Sequence, residues 1–183
     1  AIYSNGSSLY AAFATGGYKE TTDWKQMPND AFDVKVAAPG QTSETAMGDN
    51  HEKLGGGHHY TVIAFADEGS TAKANMRVLD DDLQPITSGK ARIRFINTAA
   101  NAGELSLYAR GVKDAIFDDI NFRNEAGWKD IDPMSGTLEI RPQGKNTPVA
   151  TIPGVNLEAG KSYTYIVTGK PGKLDVMKFT DDV

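Results

Sequence analysis

The chain has 183 residues, with 24 acidic and 19 basic side chains interspersed for a formal net charge of −5, which argues against a basic footprint for nucleic acid. No apolar run approaches the roughly 20 residues of a membrane helix, and zero cysteines exclude a disulfide framework, a thiol nucleophile and a Cys-based zinc site. The 19 glycines and 8 prolines among frequent Thr, Val, Ile, Tyr and Phe predict short strands and tight turns in one domain or two.

In chain order, the first half carries Ile2-Tyr3-Ser4-Asn5-Gly6, Trp24-Lys25, Pro28, the pair Val34 and Val36, Gly40, the run Leu54-Gly55-Gly56-Gly57-His58-His59-Tyr60-Thr61-Val62-Ile63, and Asp81-Asp82. A connector, Leu83-Gln84-Pro85-Ile86-Thr87-Ser88-Gly89, follows. Its single Pro and single adjoining Gly predict a restricted hinge. Residues 91–97 then alternate Ile93 and Phe95 with Arg92 and Arg94, the period-two pattern of a half-buried strand. Further strands are expected over residues 104–110, 136–141, 162–168 and 174–179, with shorter ones near Ala115, Trp128 and Val149. The separators Asn101-Ala102-Gly103, Pro142-Gln143-Gly144, Ile152-Pro153-Gly154 and Lys170-Pro171-Gly172 read as Gly/Pro turns.

The two halves match in order. Ile2-Tyr3-Ser4-Asn5-Gly6 aligns with Leu107-Tyr108-Ala109-Arg110-Gly111, Trp24-Lys25 with Trp128-Lys129, Pro28 with Pro133, Val34 and Val36 with Leu138 and Ile140, and Gly40 with Gly144. The run 54–63 aligns with Leu157-Glu158-Ala159-Gly160-Lys161-Ser162-Tyr163-Thr164-Tyr165-Ile166, and Asp81-Asp82 with Asp181-Asp182. Two copies are too few for a solenoid, whose units need several neighbours. The expectation is therefore all-β, with two tandem immunoglobulin-like antiparallel β-sandwich domains over residues 1–87 and 88–183; a closed barrel is the alternative. Core side chains are expected from Ile93, Phe95, Leu107, Trp128, Leu138, Ile140, Tyr163 and Ile166, and from Trp24, Val34, Val36, Tyr60 and Ile63.

Residues 91–97, Leu105-Ser106-Leu107-Tyr108, Trp128-Lys129 ahead of Pro133, Gly136-Thr137-Leu138-Glu139-Ile140 and residues 157–164, in that order, resemble the secreted bacterial family called domain of unknown function 4397. The chain departs from the family's usual Ala-Ser-Pro-Asp-like turn after the first strand, where Thr98-Ala99-Ala100-Asn101-Ala102 stands. More distantly, residues 163–169 followed by Gly172-Lys173-Leu174 resemble the periplasmic alginate biosynthesis protein F, a two-domain accessory of polysaccharide O-acetylation. These resemblances imply a bacterial protein that is secreted, periplasmic or on the cell surface, and they supply no catalytic motif.

No enzyme and no cofactor are expected. Gly55-Gly56-Gly57 is followed by a strand rather than by Lys-Ser/Thr and a helix, and no serine stands in Gly-x-Ser-x-Gly. The candidate metal ligands are His51, His58 and His59, with Asp49 and Glu52 nearby; adjacent His58 and His59 on a strand would point to opposite faces. Asp80-Asp81-Asp82 and Asp181-Asp182 could gather oxygens for Ca²⁺ at the domain junction, although no Asp-x-Asp-x-Asp-Gly loop is present. Trp24 and Trp128 are the candidate platforms for carbohydrate, weighed against simple packing on the sandwich.

The expected function is a non-catalytic cell-envelope or extracellular module for scaffolding, adhesion or assembly, and the alternative is a periplasmic accessory or binding protein in polysaccharide modification. Partners would be a protein or polysaccharide of the envelope, with no nucleic acid and no membrane span. One strand is unmatched: the second copy opens with residues 91–97, and the first begins at Ile2-Tyr3 without an equivalent. Truncation is the expected cause, leaving an edge open to self-association near Tyr3 and Val62.

Overall fold

The computed structural model describes residues 2–4, 11–14, 19–24, 26, 34–38, 40–50, 54–55, 57–68, 73–81 and 84–181, and its regular structure is β apart from one 3-10 turn at Ser43–Thr45. Two compact units divide the chain, Ala1–Leu83 and Gln84–Val183.

In the second unit, β7 (Ala91–Asn97), β10 (Lys129–Ile131), β13 (Ser162–Lys170) and β14 (Lys173–Asp181) form one sheet in the order β10-β7-β13-β14. The facing sheet has the order β12-β11-β8-β9, from β8 (Leu105–Ala109), β9 (Phe117–Ile120), β11 (Met134–Pro142) and β12 (Ala150–Leu157). Between them lies a core of Ile93, Phe95, Leu105, Leu107, Leu138, Ile140, Val155, Leu157, Tyr163, Tyr165 and Val167. This is a β-sandwich, and its strands follow the sequence periodicity: Leu138 and Ile140 turn inward while Glu139 between them lies on the opposite face.

Within this antiparallel-rich sandwich one pair runs parallel, β7 with β13, with Ile93 beside Tyr163 and Phe95 beside Tyr165. A parallel pair needs a long crossover, and β8 to β12 lie between these two strands. Two sequence expectations are corrected here. The first is that β7 would be half-buried. Its Arg94 and Ile96 are 1% exposed on the face away from the core, so both faces of the strand are covered. The second is the turn at Ile152-Pro153-Gly154, which lies inside β12. Gly136 pairs with Val155 and Leu138 with Ile152, so Pro153 and Gly154 together oppose Thr137 in a bulge. An edge strand tolerates the missing amide of proline there, and Gly154 at φ +65° supplies the bend.

The first unit holds a sheet of order β2-β1-β3-β4, from β1 (Ile2–Ser4), β2 (Ala11–Ala14), β3 (Val34–Val36) and β4 (Gly48–Asn50). A second sheet is the hairpin of β5 (Tyr60–Ala66) and β6 (Ala74–Asp80). Ranked along the chain, the strands of the four-stranded sheet follow the same 2-1-3-4 order as β9-β8-β11-β12. The hairpin β5-β6, like β13-β14, pairs two consecutive strands antiparallel.

Among the expected core side chains, Val34 is 1% exposed, while Val36, Tyr60 and Ile63 are partly buried. Ile166 is buried on the outer face of its sheet rather than between the sheets. Trp24 is corrected outright: it is 51% exposed. Trp128 is corrected in its surroundings, because the pairing of Lys129 with Ile93 sets Trp128 opposite Arg94, on the face away from the core.

Tyr165, fully buried in that core, has a hydroxyl without a hydrogen-bond partner, and burial raises its pKa far above the ordinary tyrosine value. An unmade bond of this kind costs about 1–3 kcal/mol. Tyr165→Phe is expected to leave thermal stability unchanged or raised, and a clear fall in melting temperature would show that the hydroxyl is bonded.

The start of the second unit is fastened by Arg92. Its guanidinium donates to Asp130 at 2.7 and 3.2 Å, to the Pro85 carbonyl at 3.2 Å and to the Gln84 carbonyl, while Thr87 donates to Asp130 from its amide at 2.8 Å and its hydroxyl at 2.6 Å. Arg92 first, then Thr87, hold the Asp130 carboxyl well below the usual carboxylate range. A depressed folded-state pKa gives stability that is present above the unfolded value near 4 and is lost as pH falls through the folded one. Asp130→Asn is therefore expected to destabilise the second unit by about 1–3 kcal/mol at pH 7. The gap from the natural chain should close below about pH 4 in acid titrations followed by tryptophan fluorescence.

Candidate functional site

Three of the sequence candidates, Trp24, His58 and His59, lie where β5 begins. Strand alternation sends His58 and Tyr60 to one face and His59 to the other. The His58 and Tyr60 rings stack at 6.1 Å and 27°, and His58 Nδ1 lies 3.2 Å from the Asp80 carboxylate at the end of β6. On the other face His59 meets Trp24 edge-on at 5.4 Å and 86°. Tyr60 is anchored by its hydroxyl, which accepts the Gly55 amide at 2.8 Å; in the second unit the Tyr163 hydroxyl accepts the Glu158 amide at 3.0 Å, also five residues upstream. These tyrosines fix the chain entering each strand, and the adjoining histidines stay exposed.

As metal ligands His58 and His59 do not converge. His58 faces Asp80, His59 faces Trp24, and His51 and Glu52 lie outside the described residues. Among the described residues no three His, Asp or Glu side chains are grouped for a metal ion. Asp81 is buried and accepts the Thr61 hydroxyl at 2.5 Å, while Asp82 and Asp182 lie outside the described residues.

The two tryptophans have different surroundings. Trp24 presents its ring to solvent beside His59, the geometry of a stacking surface. Trp128 is partly buried over Arg94, whose guanidinium lies 4.2 Å from the ring centroid and whose Nε donates to the Thr164 hydroxyl at 2.8 Å. Arg94 is 1% exposed, so Trp128 and Thr164 are among the groups that hold a buried cation.

Sequence reasoning did not single out the charged row on the outer face of the β12-β11-β8-β9 sheet. Glu139 receives Arg141 at 2.7 Å and Arg110 at 2.8 Å, and Arg141 also stacks on Tyr108 at 4.2 Å. The two arginines, Arg141 foremost, lower the Glu139 pKa. The cross-strand pairing of Glu139 with Tyr108 was the signal that could have revealed it, once the register was known. Its charges are mutually satisfied, and its chemistry is that of a strand-to-strand clamp.

A family model described as Domain of unknown function (DUF4397) matches residues 1–108, more than half of the chain. The match covers the first unit, β7 and most of β8. Among solved structures the chain is similar to the C-terminal domain of AlgF from P. aeruginosa, at 25% identity and a TM-score of 0.42, covering 51% of this chain and 99% of that one; at that score no assignment rests on it. No curated protein matches the chain.

The contrast between the tryptophans is measurable. Trp24→Ala is expected to change stability by no more than about 0.5 kcal/mol. Trp128→Ala should cost about 2–3 kcal/mol, because it uncovers a buried guanidinium. Thermal melts of the two variants check this, and acrylamide should quench Trp24 fluorescence more than that of Trp128.

Proposed function

The chain belongs to the domain of unknown function 4397 family, and on that premise we propose that it is a non-catalytic cell-envelope or extracellular module that acts in scaffolding, adhesion or assembly. In this reading its two units are tandem copies of one immunoglobulin-like domain. The twin tyrosine anchors and the shared 2-1-3-4 strand order support the duplication. Among the described residues no helix is long and apolar enough to cross a membrane.

The observation that carries the functional reading is the unequal cover of equivalent strands. Tyr163, Tyr165 and Val167 of β13 are 3%, 0% and 0% exposed, whereas their sequence counterparts on β5, Tyr60 and Val62, are partly exposed and Ala64 is exposed. A sheet with an accessible apolar margin suits association with another molecule. A second reading, an accessory or binding protein in polysaccharide modification, is favoured by the exposed Trp24 ring beside His59. The two predict different losses.

Binding of the purified chain to immobilised envelope proteins and to a glycan array is expected to give protein retention that Trp24→Ala leaves intact. Glycan retention abolished by Trp24→Ala would favour the polysaccharide reading. Substrate turnover that disappears on changing one residue would overturn the non-catalytic proposal.

A further inference from the structure

The edge strands of the second unit differ in kind. Among the described residues they are β10 and β14 in one sheet and β12 and β9 in the other. An edge presents amides and carbonyls on which another strand can add. β10 has three residues, and β9 has four with a break in register against β8 between Leu105 and Leu107, so neither makes a long template. β12 is interrupted by the bulge at Pro153-Gly154. β14 has no such interruption: its nine residues pair with β13 in unbroken register, from Asp181 opposite Ser162 to Lys173 opposite Lys170.

The direction of the β14 amides follows from the bonds of its neighbour. The Arg92 amide donates to the Lys161 carbonyl and the Thr98 amide to the Val167 carbonyl, each at 2.9 Å, so residues 161, 163, 165 and 167 serve β7. The alternate residues of β13 serve β14 and bond to residues 173, 175, 177, 179 and 181. The amides and carbonyls of Leu174, Val176, Lys178 and Thr180 consequently point away from β13. At the middle of this row the Val176 amide donates to Asp175 Oδ1 at 2.8 Å. The donor that an added strand would need is therefore bonded within its own strand. Two residues on, Lys178 shares the core-facing side with Leu174 and Val176, and its Nζ lies 4.9 Å from the centroid of the Tyr163 ring. An added strand would have to desolvate that ammonium, an inward-turned charge of the kind that keeps sheet edges apart.

We propose that Asp175 guards β14 against strand addition by capping the Val176 amide, with Lys178 as its flank. Without the cap this edge suits self-pairing: strands related by a twofold axis normal to the sheet run antiparallel, so two uncapped β14 edges would join two sheets into one. The guard works through an acceptor oxygen rather than through charge. It goes beyond the assembly reading and does not depend on it, since it concerns where strands are kept from adding.

The test compares the natural full chain with Asp175→Ala and Asp175→Asn. Both substitutions remove the same charge, and only asparagine keeps an acceptor oxygen. Asp175 is exposed, a position where substitution leaves the fold intact. At a concentration where each protein is monomeric, the Val176 amide is expected to exchange about tenfold faster in Asp175→Ala than in the natural chain, and at close to the natural rate in Asp175→Asn. In a sedimentation dilution series Asp175→Ala should self-associate at least about tenfold more tightly than the natural chain, with new protection at Leu174, Val176 and Lys178. Asp175→Asn should sediment as the natural chain does. An unchanged Val176 exchange rate in Asp175→Ala would overturn the proposal by removing the cap. So would an Asp175→Ala protein that associates no more tightly than the natural chain, or that associates without protecting those amides. Association of Asp175→Asn as tight as that of Asp175→Ala would overturn it in favour of charge repulsion.

Discussion

The parallel pairing of β7 with β13 is the constraint on which the second unit depends. It joins the unit's first strand to its penultimate one, so the segments between must fold back across the core before the sheet can close. Such a pairing is costly in chain entropy and forms only if the strand buries enough surface. β7 does so on both faces, with Ile93 and Phe95 against the core and Arg94 and Ile96 covered on the other side. Its end is fixed by Asn97, a buried amide that donates to the Gly103 and Ile120 carbonyls at 2.9 Å and accepts the Ala99 amide at 3.1 Å. With those bonds made, the turn after β7 can bury Ala99 and Ala100 without unsatisfied polar groups at Asn97.

The two units differ in how their sheet edges are covered. In the second, the β13 edge is filled, its tyrosines are covered, and Glu139 on an outer face is bound by Arg141 and Arg110. In the first, β5 is paired with β6 alone among the described residues, its Tyr60 and Val62 are partly exposed, and the exposed Trp24 stands beside its start.

Much of the fold was legible because strands with one buried face announce themselves by alternation. Leu105 and Leu107, Leu138 and Ile140, and Tyr163 and Tyr165 all lie where period two puts them. The Pro171-Gly172 turn was equally plain, with Gly172 at φ +80° between the paired Lys170 and Lys173. What escaped depends on neighbours distant in the chain. Arg94 reads as a solvent-facing residue until Trp128 is seen across from it, and the repeat of Trp24 and Trp128 reads as a packing requirement although Trp24 is exposed. Pro153 reads as a turn because its accommodation at a bulged sheet edge is a property of the pairing. Of the candidate site, the opposed directions of His58 and His59 followed from strand geometry, whereas the pairing of His58 with Asp80 followed only from the β5–β6 register.

Native-state hydrogen exchange on the free monomeric chain, resolved amide by amide, tests the central claim most directly. If one domain plan is closed by its parallel strand in the second unit and open at that edge in the first, the amides of Tyr163, Tyr165 and Val167 should exchange only with opening of the whole unit. Those of Tyr60, Val62 and Ala64 should exchange rapidly, while Thr61 and Ile63, bonded to β6, remain slower. Equal protection of the two sets in the monomer would contradict the account, because it would require the β5 edge to be closed already.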